Sequence, residues 1–72
     1  MPYDYSKLDG KIKEICGTQS RFAKDMGLSE RSVSLKMNGR VPWSQPEMQK
    51  AADILHIPLP ELQDYFFKIK VQ

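Results

Sequence analysis

Thr18–Gly39, TQSRFAKDMGLSERSVSLKMNG, is the stretch whose reading decides the fold. It predicts two short helices joined by a tight turn at Gly27. A glycine closes the first helix because a left-handed residue is needed there, and Leu28-Ser29 starts the next at once. Thr18 and Ser29 are the expected caps of the two helices. Phe22, Ala23 and Met26 form the inner face of the first, with Ala23 small where two crossing helices approach closely. Leu28 is placed to staple onto Val33 across the second cap, and Asn38-Gly39 stops that helix. Two helices so close in sequence cross steeply, which is the geometry of a helix-turn-helix. That motif presents its second helix to a partner, usually the major groove of DNA.

Working outward, the chain divides into three more helices. Ser6 is a candidate cap for a first helix, with Asp9 three residues on in a capping-box arrangement. Leu8, Ile12, Ile15 and Cys16 then fall on one stripe that ends at Gly17. After the motif, Ser44 is an N-cap, Pro46 lies in the first turn, and Glu47 completes a capping box. Trp43 and Met48 hold the flanking positions of a hydrophobic staple. Met48, Ala51, Ala52 and Leu55 make the inner stripe of this fourth helix, which ends before Pro58. Pro60 opens a short fifth helix carrying Leu62, Tyr65 and Phe66. The tail, residues 68–72, alternates apolar and polar, so it reads either as a short edge strand or as a frayed end. The expectation is an all-α, five-helix domain with no internal repeat and no linker, spanning residues 1–72.

Composition narrows the class. Seventy-two residues give one small core, and 40% apolar content with seven aromatics favours a folded domain over disorder. The single cysteine, Cys16, excludes an internal disulfide and suits a small buried hydrophobe in a reducing compartment. No stretch approaches the ~20 apolar residues of a membrane span, and the polar, acidic start is unlike a signal peptide. These features predict a cytoplasmic protein with no membrane partner. Net charge is +2, but it is unevenly spread: residues 1–40 carry +3, residues 41–67 carry −3, and Lys68 and Lys70 add +2. A basic helix-turn-helix half and an acidic following half would orient the domain weakly on an anionic partner.

Gln19, Phe22-Ala23, Met26-Gly27, Ser29, Val33 and Asn38-Gly39 resemble the helix-turn-helix of the Cro and phage-repressor family. The wider run, from YDYSKLDGKI through SERSVSLKMNG to YFF, is similar to short, single-domain phage regulators. Within these it is similar to the modulator-of-repression antirepressors of lactococcal temperate phages. The first resemblance covers about a third of the chain and the second most of it. The Cro-type resemblance implies DNA reading at Ser29, Glu30, Arg31, Ser34 and Leu35, and phosphate contacts near Gln19, Asn38 and Arg40. The antirepressor resemblance implies a different partner, the N-terminal DNA-binding domain of a cognate phage repressor, inside a bacterial host cell.

The chemistry of the presented helix supports both partners unequally. With Val33 as the buried anchor, about 100° per residue puts Arg31, Leu35 and Asn38 on the opposite face and Ser34 at its edge. Arg31 is suited to a bidentate pair with guanine and Leu35 to a thymine methyl. Thr18, Gln19 and the amides at the start of the second helix are suited to a phosphate. Glu30, however, repels phosphate and cancels much of Arg31. Lys36 occupies a position that family members usually fill with an apolar residue. Few unopposed cations release few counterions, so non-specific DNA affinity is expected to be weak.

The acidic half points to protein recognition. Trp43, Tyr65, Phe66 and Phe67 are more aromatics than so small a core needs, and adjacent Phe66 and Phe67 do not both point inward. With Leu35, these four are candidate anchors for a protein partner. The plainer alternative is that Trp43 only staples the fourth helix and one Phe plugs the core. His56 stands alone at a helix end, where its expected task is C-capping. No cluster has zinc-ligand spacing, no nucleophile-base pair is present and no glycine loop cradles phosphate. Catalysis, cofactors, metals and small-molecule substrates are therefore not expected. The reading favours an antirepressor that occludes its repressor. The alternatives are a dimeric Cro-like operator binder or joint occupation of DNA with the repressor.

Overall fold

Gly27 adopts the left-handed conformation, φ 74 and ψ 25, in the computed structural model, which describes residues 3–70. It closes α2 (Gln19–Met26), and the Leu28 N–H reaches back to the Ala23 carbonyl at 2.9 Å. The Thr18 hydroxyl caps the other end, accepting from the Arg21 N–H at 3.1 Å. Helix α3 (Glu30–Met37) starts two residues later, with the Ser29 hydroxyl accepting from the Ser32 N–H at 3.1 Å. Each such cap stabilises its helix by about 1 kcal/mol. Ala23 is 1% exposed at the crossing, so a larger side chain there would push the two helices apart. The helix-turn-helix forms as its sequence predicts.

Helix α1 (Ser6–Cys16) ends at Gly17 as expected but departs from expectation at its start. Ser6 is its first residue, not its cap, and its side chain makes no capping bond. Instead the Asp4 carboxylate accepts from the Ser6 N–H at 2.9 Å. The helix starts one residue earlier than expected because the Asp9 N–H already bonds to the Tyr5 carbonyl at 2.8 Å, which places Ser6 inside its first turn with its own amide held by Asp4. The stripe is also narrower than expected. Leu8 and Ile12 are fully buried, Cys16 is half-buried, and Ile15 is 40% exposed.

Helix α4 (Gln45–Leu55) begins with a complete capping box. The Glu47 N–H donates to the Ser44 hydroxyl at 3.3 Å, and the Ser44 N–H donates to the Glu47 carboxylate at 2.9 Å. His56 ends the helix at φ 57, ψ 41, taking the C-cap place expected of it. A 3-10 turn (Leu59–Glu61) then leads into α5 (Leu62–Phe66). The tail bonds to the start of the chain: Tyr3 and Ile69 form an isolated antiparallel bridge, and the Asp4 N–H donates to the Lys68 carbonyl at 2.7 Å. Val71 and Gln72, the end of the expected tail, lie outside the described residues, as do Met1 and Pro2.

Helices α1, α2 and α4 pack around Leu8, Ile12, Phe22, Ala51, Ala52 and Leu55, and α5 closes the core with Tyr65 and Phe66. Through its centre run three stacked aromatics. Phe22 and Trp43 have ring centroids 6.5 Å apart, and Trp43 meets Phe66 edge-on at 5.4 Å. Trp43, Tyr65 and Phe66 are 8, 6 and 2% exposed. They are core residues, and little of their surface is left for the partner contact expected of them. A chain this short has few large aliphatic residues, and the aromatics supply the missing core volume. Phe67 alone of the four candidates is exposed, at 49%.

Candidate functional site

The outer face of α3 is built by what the inner face buries. Val33 is fully buried and Lys36 is 7% exposed, so the helix turns Glu30 and Arg31 outward. Ser29, Asn38 and Arg40 are exposed beside them, while Ser34 is half-buried. Leu35, expected to be fully exposed, is half-buried. The chain doubles back after Asn38, and the Arg40 and Val41 N–H groups bond to the Leu35 carbonyl at 2.9 and 3.4 Å. Residues 40–41 are thereby folded back against the end of the helix.

The expected phosphate positions gather in part. Gln19 and Asn38 line one polar groove of about 390 Å³, while Thr18 is exposed at the start of α2 and Arg40 belongs to a different cleft. The groove also holds Asp4, Asp9 and Lys70. Hydrogen bonds from Ser6 hold the Asp4 carboxyl below its ordinary value, so it is ionised at neutral pH. Asp9 is paired with Lys13 at 3.0 Å. A DNA phosphate entering this groove would meet the Asp4 carboxylate and the paired Asp9 against a single lining cation, Lys70, so the groove is not a cationic phosphate site. On α3 itself, Glu30 lies next to Arg31 with no ion-pair partner for either among the described residues.

The sequence reading missed one feature that holds this face in place. The Lys36 ammonium points inward, 2.9 Å from the Glu47 carboxylate, 3.2 Å from the Pro42 carbonyl, and 5.7 Å above the Trp43 ring. A single carboxylate oxygen of Glu47 thus receives both Lys36 and the Ser44 amide. The bond ties α3 to the first turn of α4. A signal was present: a lysine in an apolar slot needs a buried partner, and a capping-box glutamate has spare lone pairs.

Glu47 gives this link a pH signature. Burial by itself would raise its carboxyl. The bonds from Ser44 and Lys36, with the charge of Lys36, outweigh it and hold the pKa below the ordinary 4.5. A folded-state pKa below the unfolded one contributes stability that is complete above the unfolded value and is lost as pH falls through the folded value. Chemical denaturation between pH 7 and pH 3 should therefore show a loss below about pH 4.5 that Glu47→Gln lacks. Parallel acid profiles for parent and variant would mean that the pair contributes nothing.

The remaining candidate groups are quiet. Cys16 is half-buried, and burial, with Asp25 3.9 Å from its sulfur, pushes the thiol up, so it is a poor nucleophile. No group of three or more metal-ligating side chains comes together among the described residues. No helix there is long and apolar enough to cross a membrane.

The acidic half, residues 41–67, exposes Val41, Leu59 and Phe67. Phe67 packs edge-on against Tyr3, with ring centroids 6.0 Å apart, and forms a wall shared by two clefts. One, of about 480 Å³, runs from Arg40 and Val41 past Trp43 to Phe67. The other, of about 360 Å³, lies between the start of α4 and the 3-10 turn. Leu35 lines neither, so the structure separates it from Phe67.

The family described as "Protein of unknown function (DUF739)" matches residues 1–69 of the chain. No curated protein matches it significantly. Among solved structures, the chain is similar to the solution structure of the modulator of repression (MOR) of the temperate bacteriophage TP901-1 from Lactococcus lactis. The two are 53% identical with a TM-score of 0.84, over 100% of this chain and 97% of the other.

Proposed function

This chain belongs to the DUF739 family, and on that premise we propose that it works as an antirepressor in a phage lysis-lysogeny switch. It is a small regulator of the modulator-of-repression kind, and it acts in the cytoplasm of the bacterial host. Its partner is the N-terminal DNA-binding domain of the cognate repressor, which it binds stoichiometrically and keeps off the operator. The observation that carries this reading is the end-to-end likeness to a modulator of repression at 53% identity. Electrostatics supports it: a helix-turn-helix whose outer face sets Glu30 against Arg31, beside a groove holding Asp4 and Asp9, is poorly suited to DNA phosphates.

Phe67 and Leu35 are the two candidate anchors that the core does not consume. Calorimetric titration of the isolated repressor domain with this protein should give one-to-one binding. Phe67→Ala should weaken it at least tenfold, because a central aromatic contact is worth ~2 kcal/mol or more. The absence of heat and of any complex by size exclusion would refute the antirepressor reading. The Cro-like reading is favoured by the intact motif and the exposed Arg31. It requires that the protein alone shift operator DNA, and that Arg31→Ala cost roughly 1–3 kcal/mol on that site.

A further inference from the structure

The cleft between α4 and the 3-10 turn has an apolar floor, and both elements that form it carry exposed carboxylates outside its lining. Met48, Leu62, Leu59 and Phe67 line it, the last two 59 and 49% exposed. Gln45 and Gln49 line its α4 side, and Asp53 follows one turn further along the same face. On the other side, Glu61 is exposed between the two lining leucines. Among the described residues neither carboxylate has an ion-pair partner. Residues 41–67, which build the cleft, carry −3. An exposed apolar trough whose two walls belong to elements with exposed, unpaired carboxylates matches a helix with an apolar stripe and cationic edges. A DNA-binding domain carries such cationic helices to meet phosphate.

We propose that this cleft seats a cationic amphipathic helix of the repressor's DNA-binding domain. An apolar residue of that helix enters between Leu59 and Phe67, and Lys or Arg side chains reach Asp53 and Glu61. The proposal rests on the antirepressor reading and adds the surface and the chemistry of the partner. It also supplies a mechanism: the carboxylates take the cations that the repressor would otherwise turn to DNA.

The test measures binding of the full-length protein to the isolated repressor domain, by calorimetry at low and moderate salt. Two variants are compared with the parent, Leu59→Ser and the double charge reversal Asp53→Lys with Glu61→Lys. All three positions are exposed, so circular dichroism should report an unchanged fold. Each variant is expected to bind at least tenfold more weakly, and the charge reversal should flatten the salt dependence. Parent-like binding by both folded variants overturns the cleft assignment while leaving the antirepressor reading intact. So does loss of binding on Arg31→Ala alone, which would place the contact on α3. A parent that forms no complex overturns the antirepressor reading and the cleft with it. A parent that sediments as a dimer which Leu59→Ser dissociates, with no repressor complex, shows that a second copy occupies the cleft and also overturns the proposal.

Discussion

Phe66→Ala is expected to lower the unfolding free energy by about 3–5 kcal/mol, the usual cost of deleting a large aromatic from a packed core. Phe66 is 2% exposed and stacks edge-on against Trp43 at 5.4 Å, so its removal opens a cavity beside the indole. At roughly 0.05–0.15 kcal/mol per residue, a domain of this length has only about 4–11 kcal/mol in total. The variant should therefore lose a large share of that stability, and urea denaturation followed by circular dichroism measures it directly. Trp43 supplies a sharper comparison. Its indole N–H is buried without an acceptor among the described residues, which is itself a destabilising feature. Trp43→Ala should cost about as much as Phe66→Ala. Trp43→Phe keeps a ring between Phe22 and Phe66 and removes the unpaired donor, so its change should stay within about 1.5 kcal/mol. A Phe66→Ala protein that melts like the parent would mean that the aromatic stack is not the core.

Gly27→Val should be the most damaging substitution outside the core, at about 2–3 kcal/mol. The cause is backbone conformation, not crowding. At φ 74 a β-branched residue is strained, whereas a Cβ built there meets only the Lys50 ammonium at 3.7 Å. Gly27→Asn should therefore cost less than about 1 kcal/mol, since asparagine tolerates the left-handed region. Gly10 is the internal control. It lies inside α1 with nothing within 4 Å of an added Cβ, so Gly10→Ala should stabilise by about 0.5–1 kcal/mol. Thermal melts of the three variants test the account. Equal losses for Val and Asn at position 27 would show that the turn is not left-handed.

The elements legible in the sequence are those whose cause is local. Gly27 needs only its own positive φ, and Ser44 with Glu47 needs only a spacing of three, so both were readable without any tertiary knowledge. Ser6 is not the cap because the helix begins one residue earlier, at the Tyr5 carbonyl, with Asp4 holding the Ser6 amide. What escaped the sequence is decided between elements. Lys36 and Glu47 are eleven positions apart, and only the packing of α3 on α4 reveals that a lysine in an apolar slot has a buried partner. The aromatics show the same limit. Adjacency says that Phe66 and Phe67 point apart, but not which one faces Trp43. Helix periodicity alone puts Leu35 on the exposed face, and it cannot see that the chain folds back onto the Leu35 carbonyl at residues 40–41. The face of α3 is thus legible as a surface in the sequence, and the apolar cleft between α4 and the 3-10 turn is not.

The central claim is that the protein removes its repressor from DNA by binding the repressor. The most direct measurement is a gel shift with preformed repressor-operator complex, into which this protein is titrated. Free operator should accumulate in proportion to added protein until the repressor is matched one to one, with no new, slower band. A band migrating more slowly than the repressor complex would mean that both proteins occupy DNA together. An unchanged repressor complex at several-fold molar excess of a folded protein would contradict the account outright.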